Sequence, residues 1–536
     1  MTDEVDVVAP APGVHQGGRP GAGVWRSGLP VFVAGVVVLG LVRAYQMGDR
    51  APLAWNDTAD FLESSQAPWL SVELWAGKRP IGAPVLLRLL GGDIDAYMVW
   101  QAAFAVLAWS VLATSVAAAV AGRRARWGAA LAVLAFSATT PVTMWERSVL
   151  SESLAISALA LVAAAGVQVA RRMDDTRVAG LLAALALWLA IRDSHVSVAL
   201  AGGGVAALVA AGAWMRARRR RPPDDGLRDE PAGPEVLGDG STGRGGPGNG
   251  SGGSGGPGEA SAGQEGGLGN DTGRDGGAAR SEPGRTGAWL RPLAVLGAGA
   301  LVLGLLASWT SSHGQRHAFP MRNVYEVRVL PYPDRVAWFA EHGMPKTEVF
   351  VGPAARVPYQ EPGMPPVMYV GDDDAELASW LDWVESDGRS AFARYVLTHP
   401  PYLVTEPLRS PERTFNNARG DREFYAALDQ RQVPLVDRVL ALPTAVVLLV
   451  AALLVGWAFG RRRLTPLLVA GGVTALLSVP HGLTAWHGDG METARHLVVP
   501  ALQLHLGVLL MAVGTAWGAP ERRLAAGGTA GNRRRG

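Results

Sequence analysis

WERSVLSESLAISALALVAAAGVQVARR, residues 145–172, decides how this chain is read. Its apolar run from 149 to 170 matches the roughly 20 residues needed to cross a bilayer core. One end carries Glu146, Arg147 and Glu152, and the other carries Arg171 and Arg172. Basic residues near the ends of a span mark its cytoplasmic side, so this segment has a direction as well as a length. Working outward, similar runs lie at 28–45, 97–121, 127–143, 178–193, 195–214, 289–309, 438–459, 464–481 and 496–517. The expected fold class is therefore an all-α polytopic membrane protein of about ten transmembrane helices, with a small α-rich extracytoplasmic domain and a disordered cytoplasmic linker.

Charge supports that count. With the amino terminus inside, the inner connections hold Arg123, Arg124 and Arg126, then Arg171, Arg172 and Arg177, then Arg216 with Arg218 to Arg221, then Arg461 to Arg463. The tail ends in Arg533, Arg534 and Arg535. An odd number of spans would put one of these clusters outside. The expected location is the cell membrane, with both termini cytoplasmic.

The net charge of +2 says little, because 49 basic and 47 acidic residues are separated by topology. A pI near 9.0 would suggest a nucleic-acid partner in a soluble protein, but here anionic lipid headgroups account for the arginines, and no nucleic acid is expected. There is no cysteine, which excludes disulfides, thiolate nucleophiles and Cys-ligated zinc.

The expected organisation begins with a disordered cytoplasmic segment over 1–27, whose acids and prolines do not form a cleaved signal. A six-helix membrane module follows over 28–221, with a first outer loop at 46–95. Residues 222–287 form a Gly-rich linker without the apolar residues that would offset ordering entropy. A seventh span (288–309), an extracytoplasmic domain (310–437), three further spans (438–517) and a basic tail (518–536) complete the chain. In the first outer loop, WLSVELW and PIGAPVLLRLL are short amphipathic runs suited to lying at the interface, anchored by Trp69 and Trp75. In the outer domain, Leu377, Trp380, Leu381 and Val384 recur at helical spacing behind acids at 372–374 that suit a helix start. GRSAFARYVLTHPPYL repeats the pattern and stops at Pro400 and Pro401.

The ionisable groups of the spans cluster at their outer ends, apart from His505 and its neighbour Gln503. Mid-depth carboxylates, which would mark a proton or ion path, are absent, and this argues against a proton-coupled transporter. Just after the first span, WNDTADF places Asp57 and Asp60 on one helical face, where a carboxylate at the apolar boundary would have a raised pKa and suit a general base. The competing reading is a pair of solvated acids. Arg147 has an ordinary structural account, pairing with Glu146. Glu152 lies within an apolar run and needs a cation, metal or substrate hydroxyl to answer it. IRDSH supplies Arg192, Asp193 and His195, and HGLTAWHGDGMETARH supplies His481, His487, Asp489, Glu492, Arg495 and His496. Arginines here match phosphate oxygens in a two-pronged way, although each cluster alone could be interfacial salt pairing. No H-E-x-x-H or comparable spacing points to a His-metal site.

Asp57 followed four residues later by Phe61, the segments GKRPIGAPVLLRLLG and VLSESLAIS, Glu152 heading the fourth span, and a late Glu492 with Arg495 and His496 together resemble the GT-C superfamily of polytopic glycosyltransferases. Protein O-mannosyltransferases and lipid A aminoarabinose transferases belong to it. The resemblance implies transfer of a sugar from a polyprenyl-phosphate donor to a cell-envelope acceptor hydroxyl on the extracytoplasmic side, with inversion at the anomeric carbon. On that reading Asp57 and Glu152 are catalytic, Asp57 as general base. Asp60, Arg192, His195, Glu492, Arg495 and His496 bind substrate, and Arg495 or Arg192 stabilises the departing phosphate. Thr58 stands where many members have a second acid, so a metal site is not expected and a divalent cation is left as an open alternative. The alternative function is a non-catalytic membrane protein that binds or escorts envelope lipids or partner enzymes. A third, lipid flippase or transporter, would need a polar path, for which the sequence offers little beyond Gln503 and His505.

Overall fold

The computed structural model describes residues 29–48, 51–219, 289–314, 316, 318–345, 375–408, 444–461, 464–488 and 493–518. The expected amino-terminal segment, the 222–287 linker, the aspartates at 372–374, Asp489, Glu492 and residues 519–536 lie outside them, as does the side chain of Leu377. Among the described residues the regular structure is helical, with two isolated bridges, Leu53–Ser148 and Val120–Gly518, in place of any strand.

The helices, in chain order, are α1 (Leu29–Met47), α2 (Asn56–Gln66), α3 (Val72–Ala76), α4 (Gly82–Leu89), α5 (Ile94–Ala118), α6 (Arg123–Ser137), α7 (Thr140–Thr143), α8 (Glu152–Arg171), α9 (Asp175–Leu189) and α10 (Val196–Arg219). There follow α11 (Leu290–His313), α12 (Ala318–Arg328), α13 (Pro333–Glu341), α14 (Ala375–Trp383), α15 (Arg389–Thr398), α16 (Pro400–Leu408), α17 (Thr444–Arg461), α18 (Pro466–Gly488) and α19 (Thr493–Trp517). Seven of these, α1, α5, α8, α10, α11, α18 and α19, are long and apolar enough to cross a membrane. Of the other expected spans, the 127–143 run is bent, α9 has 15 residues, and the described apolar stretch of α17 is Val446–Ala458.

The chain divides into two compact units, Met1–Ala210 with Trp289–Gly536, and Ala211–Ala288. In the second, the last turns of α10 place Arg218 over the Trp214 ring at 5.3 Å. The core of the first unit is built around α8, whose residues Ala155, Ile156, Ala158, Leu159 and Val167 are almost wholly buried. α5, α9, α18 and α19 all pack on it. Trp188 Nε1 donates to the Ala155 carbonyl at 3.0 Å and ties α9 to this axis. α18 and α19 cross closely, because a Cβ on Gly507 would lie 2.7 Å from the Gly471 carbonyl oxygen. Small residues at such a crossing let two backbones approach.

The break in the 127–143 run has a chemical cause. Pro141 has no N–H to give the carbonyl four residues back, and the helix bends by 60° between α6 and the segment Thr140–Arg147. The freed acceptors are taken by α1, as Arg43 Nη2 donates to Ser137 O at 3.0 Å and Gln46 Nε2 to Ala138 O at 3.1 Å. Arg43 also pairs with Glu146, and both side chains are 1% exposed. Glu146 thus has Arg43 as an ion-pair partner, while Arg147, expected to pair with Glu146, donates to the Ala51 carbonyl at 3.0 Å.

Backbone and side-chain bonds then sew the chain after α1 to the start of α8. Leu53 N donates to Arg147 O at 2.8 Å and Val149 N to Leu53 O at 3.0 Å. Thr58 Oγ1 donates to Val149 O at 3.1 Å, Gln101 Nε2 to Ser148 O at 3.0 Å, and Tyr97 Oη to Leu150 O at 2.9 Å. Farther along the loop, Trp69, Leu70 and Trp75 are exposed.

The region of α12 to α16 has its own aromatic core of Tyr325, Phe339, Trp380 and Phe392. The sequence reading had two separate helices here. A π-helical turn over Val384–Gly388 keeps the chain helical from α14 into α15, and Tyr325 Oη donates to Gly388 O at 2.8 Å within it. The stop before Pro400 is as expected, with α15 ending at Thr398 and Pro400 opening α16, where its missing N–H costs nothing. His487 Nε2 donates to Leu403 O at 3.0 Å and Arg328 lies over Trp486 at 4.4 Å, fixing this region on the end of α18.

Removing one member of the buried Arg43–Glu146 pair strands the other charge, a loss of about 3–5 kcal/mol. Arg43→Met alone is therefore expected to lower the thermal unfolding temperature in detergent sharply, while Arg43→Met with Glu146→Leu recovers most of it.

Candidate functional site

At the rim of the bundle that carries α2, three carboxylates and three guanidinium groups from four separated stretches of chain form one network. Asp57 and Asp60 are one helical turn apart on α2 and both accept from Arg79. Arg79 Nη2 lies 2.6 Å from Asp57 Oδ1 and 2.6 Å from Asp60 Oδ2, and its Nε is 3.1 Å from the latter. The same guanidinium sits 5.5 Å from the Phe61 ring centroid, so the aromatic four residues after Asp57 helps fix Arg79. Asp57 Oδ2 accepts from Arg495 Nη2 at 2.5 Å.

Arg495 also turns inward. Its Nε donates to Glu152 Oε1 at 2.5 Å, and Arg192 Nη1 reaches the same oxygen at 3.0 Å. Glu152 is the first residue of α8 and is fully buried, so the helix dipole and the two arginines together answer its charge. Its other oxygen, Oε2, has no hydrogen-bond partner among the described residues. Arg192 Nη2 lies 2.6 Å from His496 Nδ1, and because a guanidinium only donates, that nitrogen accepts.

Six of the residues named from sequence, Asp57, Asp60, Glu152, Arg192, Arg495 and His496, are thus in direct contact through one chain of bonds. His195 stands beside this chain rather than in it. Its Nδ1 donates to Trp188 O at 2.7 Å and its ring stacks on Trp188 at 3.9 Å. Glu492 lies outside the described residues. His481, expected in the last outer loop, is instead fully buried in α18, which continues through Pro480 to Gly488.

Arg79 was not singled out in the sequence. The available signal was its place in the expected first outer loop, in GKRPIG, close in sequence to Asp57 and Asp60. Thr58 also gains an account, since it is 4% exposed, donates to Val149 O and accepts the Trp55 N–H at 2.8 Å.

The expectation of a raised Asp57 pKa is overturned. Burial does push it up, but the Arg495 and Arg79 guanidinium groups and their hydrogen bonds outweigh burial and hold the carboxyl below its ordinary value. In this state Asp57 is a clamped anion, not an enhanced base. Phosphate oxygens would compete with the carboxylates for the same arginines, and Glu152 Oε2 can accept a hydroxyl proton. Among the described residues no group of three or more His, Asp or Glu side chains is placed to hold a metal ion.

Because the folded pKa of Asp57 lies below its unfolded value of about 3.9, its stabilisation is present above that pH and is lost as pH falls through the folded pKa. Unfolding temperatures measured against pH are expected to show wild type more stable than Asp57→Asn from pH 8 to 5. The gap should close below about pH 4, whereas a constant gap across the range would remove the clamped anion. No family model, curated protein or solved structure matches the chain.

Proposed function

We propose that the chain is an integral membrane glycosyltransferase of GT-C type. It moves a sugar from a polyprenyl-phosphate donor to a cell-envelope acceptor hydroxyl at the extracytoplasmic face, in a bundle of about ten spans with both termini cytoplasmic. One observation carries this reading: Asp57, Glu152, Arg192 and Arg495, distant in sequence, are joined by direct hydrogen bonds at one rim. The basic clusters flanking the other ends of the helices support an outward-facing rim, where nucleotide sugars are absent and a lipid carrier supplies the donor.

On this reading the donor phosphate draws Arg495 and Arg192 toward its oxygens, where they stabilise the charge that develops as the anomeric C–O bond breaks. Asp57, relieved of one guanidinium, regains basicity and takes the proton of the acceptor hydroxyl as that oxygen attacks the anomeric carbon. Glu152 Oε2 holds a substrate hydroxyl. The arginines supply positive charge at this rim.

A second reading, a non-catalytic protein that binds or escorts envelope lipids, draws on the pairing of both Asp57 oxygens with arginine. Membranes containing Asp57→Asn distinguish the two. A glycosyltransferase should keep its protein level and lose incorporation of labelled sugar by at least about 100-fold, the usual contribution of a general base. A scaffold should lose assembly instead, and normal incorporation at normal protein level would remove Asp57 from the chemistry.

Topology has its own test, because the chain has no cysteine and any introduced one is unique. Leu70→Cys, at an exposed position, is expected to react with a membrane-impermeant maleimide on intact cells, and Arg124→Cys only after permeabilisation. The reverse pattern would place the site inside.

A further inference from the structure

Next to the ion network, a second chain of hydrogen bonds has no part in the sugar-transfer reading. Gln503 on α19 donates through Nε2 to the Thr474 carbonyl at 3.1 Å, which fixes its Oε1 as the acceptor facing His481. His481 Nδ1 lies 2.8 Å from that oxygen, so Nδ1 carries the proton and Nε2 is bare. Ser194 Oγ lies 3.3 Å from Nε2, and its hydroxyl is left as the donor. The direction of every bond is therefore set: serine hydroxyl to imidazole, imidazole to amide, amide to backbone.

Polar pairs between membrane helices often serve as glue, and the His481–Gln503 bond alone would be that. Ser194 adds what glue does not need. It sits half-buried in the turn Asp193–His195 that leads into α10, while His481 is fully buried and Gln503 is 2% exposed. A partly accessible hydroxyl on a buried imidazole whose tautomer is locked by a third residue is the arrangement of an activated nucleophile, and the oxygen–nitrogen distance is within the looser range of ligand-free sites. His195 and Trp188 pack on His481 at 5.1 and 5.4 Å. These aromatic walls suit a neutral carbonyl at the end of an acyl chain.

We infer that Ser194, His481 and Gln503 form a second catalytic centre, a Ser–His–Gln acyl-transfer site for a carbonyl ester of an amphiphile lying at the same rim. Ser194 Oγ bonds to the acyl carbon while its proton passes to His481 Nε2. The bond from that carbon to the ester's alcohol oxygen breaks, and the alcohol leaves with the proton from His481. Water or an acceptor hydroxyl then gives a proton to His481 as its oxygen bonds to the acyl carbon, the bond from that carbon to Ser194 Oγ breaks, and the proton passes from His481 to Ser194 Oγ. Gln503 is a positioning residue that holds the tautomer.

The test treats the full-length protein in detergent with a fluorophosphonate and, separately, with p-nitrophenyl octanoate. Peptide mapping is expected to find the phosphonyl adduct on Ser194. Ser194→Ala should lose it, and His481→Ala should label at least about 100-fold more slowly. Monodisperse wild-type protein that stays unlabelled, or carries its adduct elsewhere, would overturn the assignment without reference to any variant's folding. Neither reagent needs a sugar donor, so this outcome and that of the sugar-transfer assay are read independently.

Discussion

Glu152 is a charge placed where a bilayer protein can least leave one unanswered. It begins a deeply packed helix of the bundle, is wholly buried, and is held by Arg192 from the turn after α9 and Arg495 from the start of α19. Burying an ion is costly unless its partners are rigid and close. This carboxylate therefore fixes where those two segments end up. Asp57 is then positioned by Arg495, and Asp60 by Arg79, so the geometry of the rim propagates outward from one buried oxygen.

The first connection is held just as firmly from the other side. Leu53 and Thr58 bond to the backbone at 147–149, Tyr97 and Gln101 bond to the same stretch, and Arg43 and Gln46 cap the carbonyls released at the bend before Pro141. Sequence-distant acids thus come to share arginines because the backbone beneath them leaves no slack. The same rigidity keeps Asp57 clamped between two cations, and its altered acidity is a property of the assembled rim rather than of α2.

Much of the outline was legible in the chain. Apolar runs of span length, arginine clusters at alternating ends and a Gly-rich interruption follow from hydrophobic burial and charge segregation, which act locally. So did the choice of acids and bases. The features that the sequence did not show were those that depend on a neighbour. The 127–143 run has the composition of one span, yet Pro141 and the waiting donors of α1 turn it into a bent pair. α18 reads as ending near 481 but continues through Pro480, which brings His481 from an expected loop into the buried interior. Two helices read from separate patterns are joined by a π turn whose Gly388 carbonyl accepts from Tyr325 Oη.

By itself the sequence determined an all-helical, membrane-type architecture and the charged residues that gather at one rim, since hydropathy and charge are properties of each residue. Tertiary structure alone decided which of these meet. Arg79 joins Asp57 with Asp60, Glu152 shares one oxygen between two arginines, and Gln503 locks the tautomer of a histidine on the neighbouring helix. Hydrogen bonds act over about 3 Å, and only packing sets distances of that size between residues 19 to 343 positions apart.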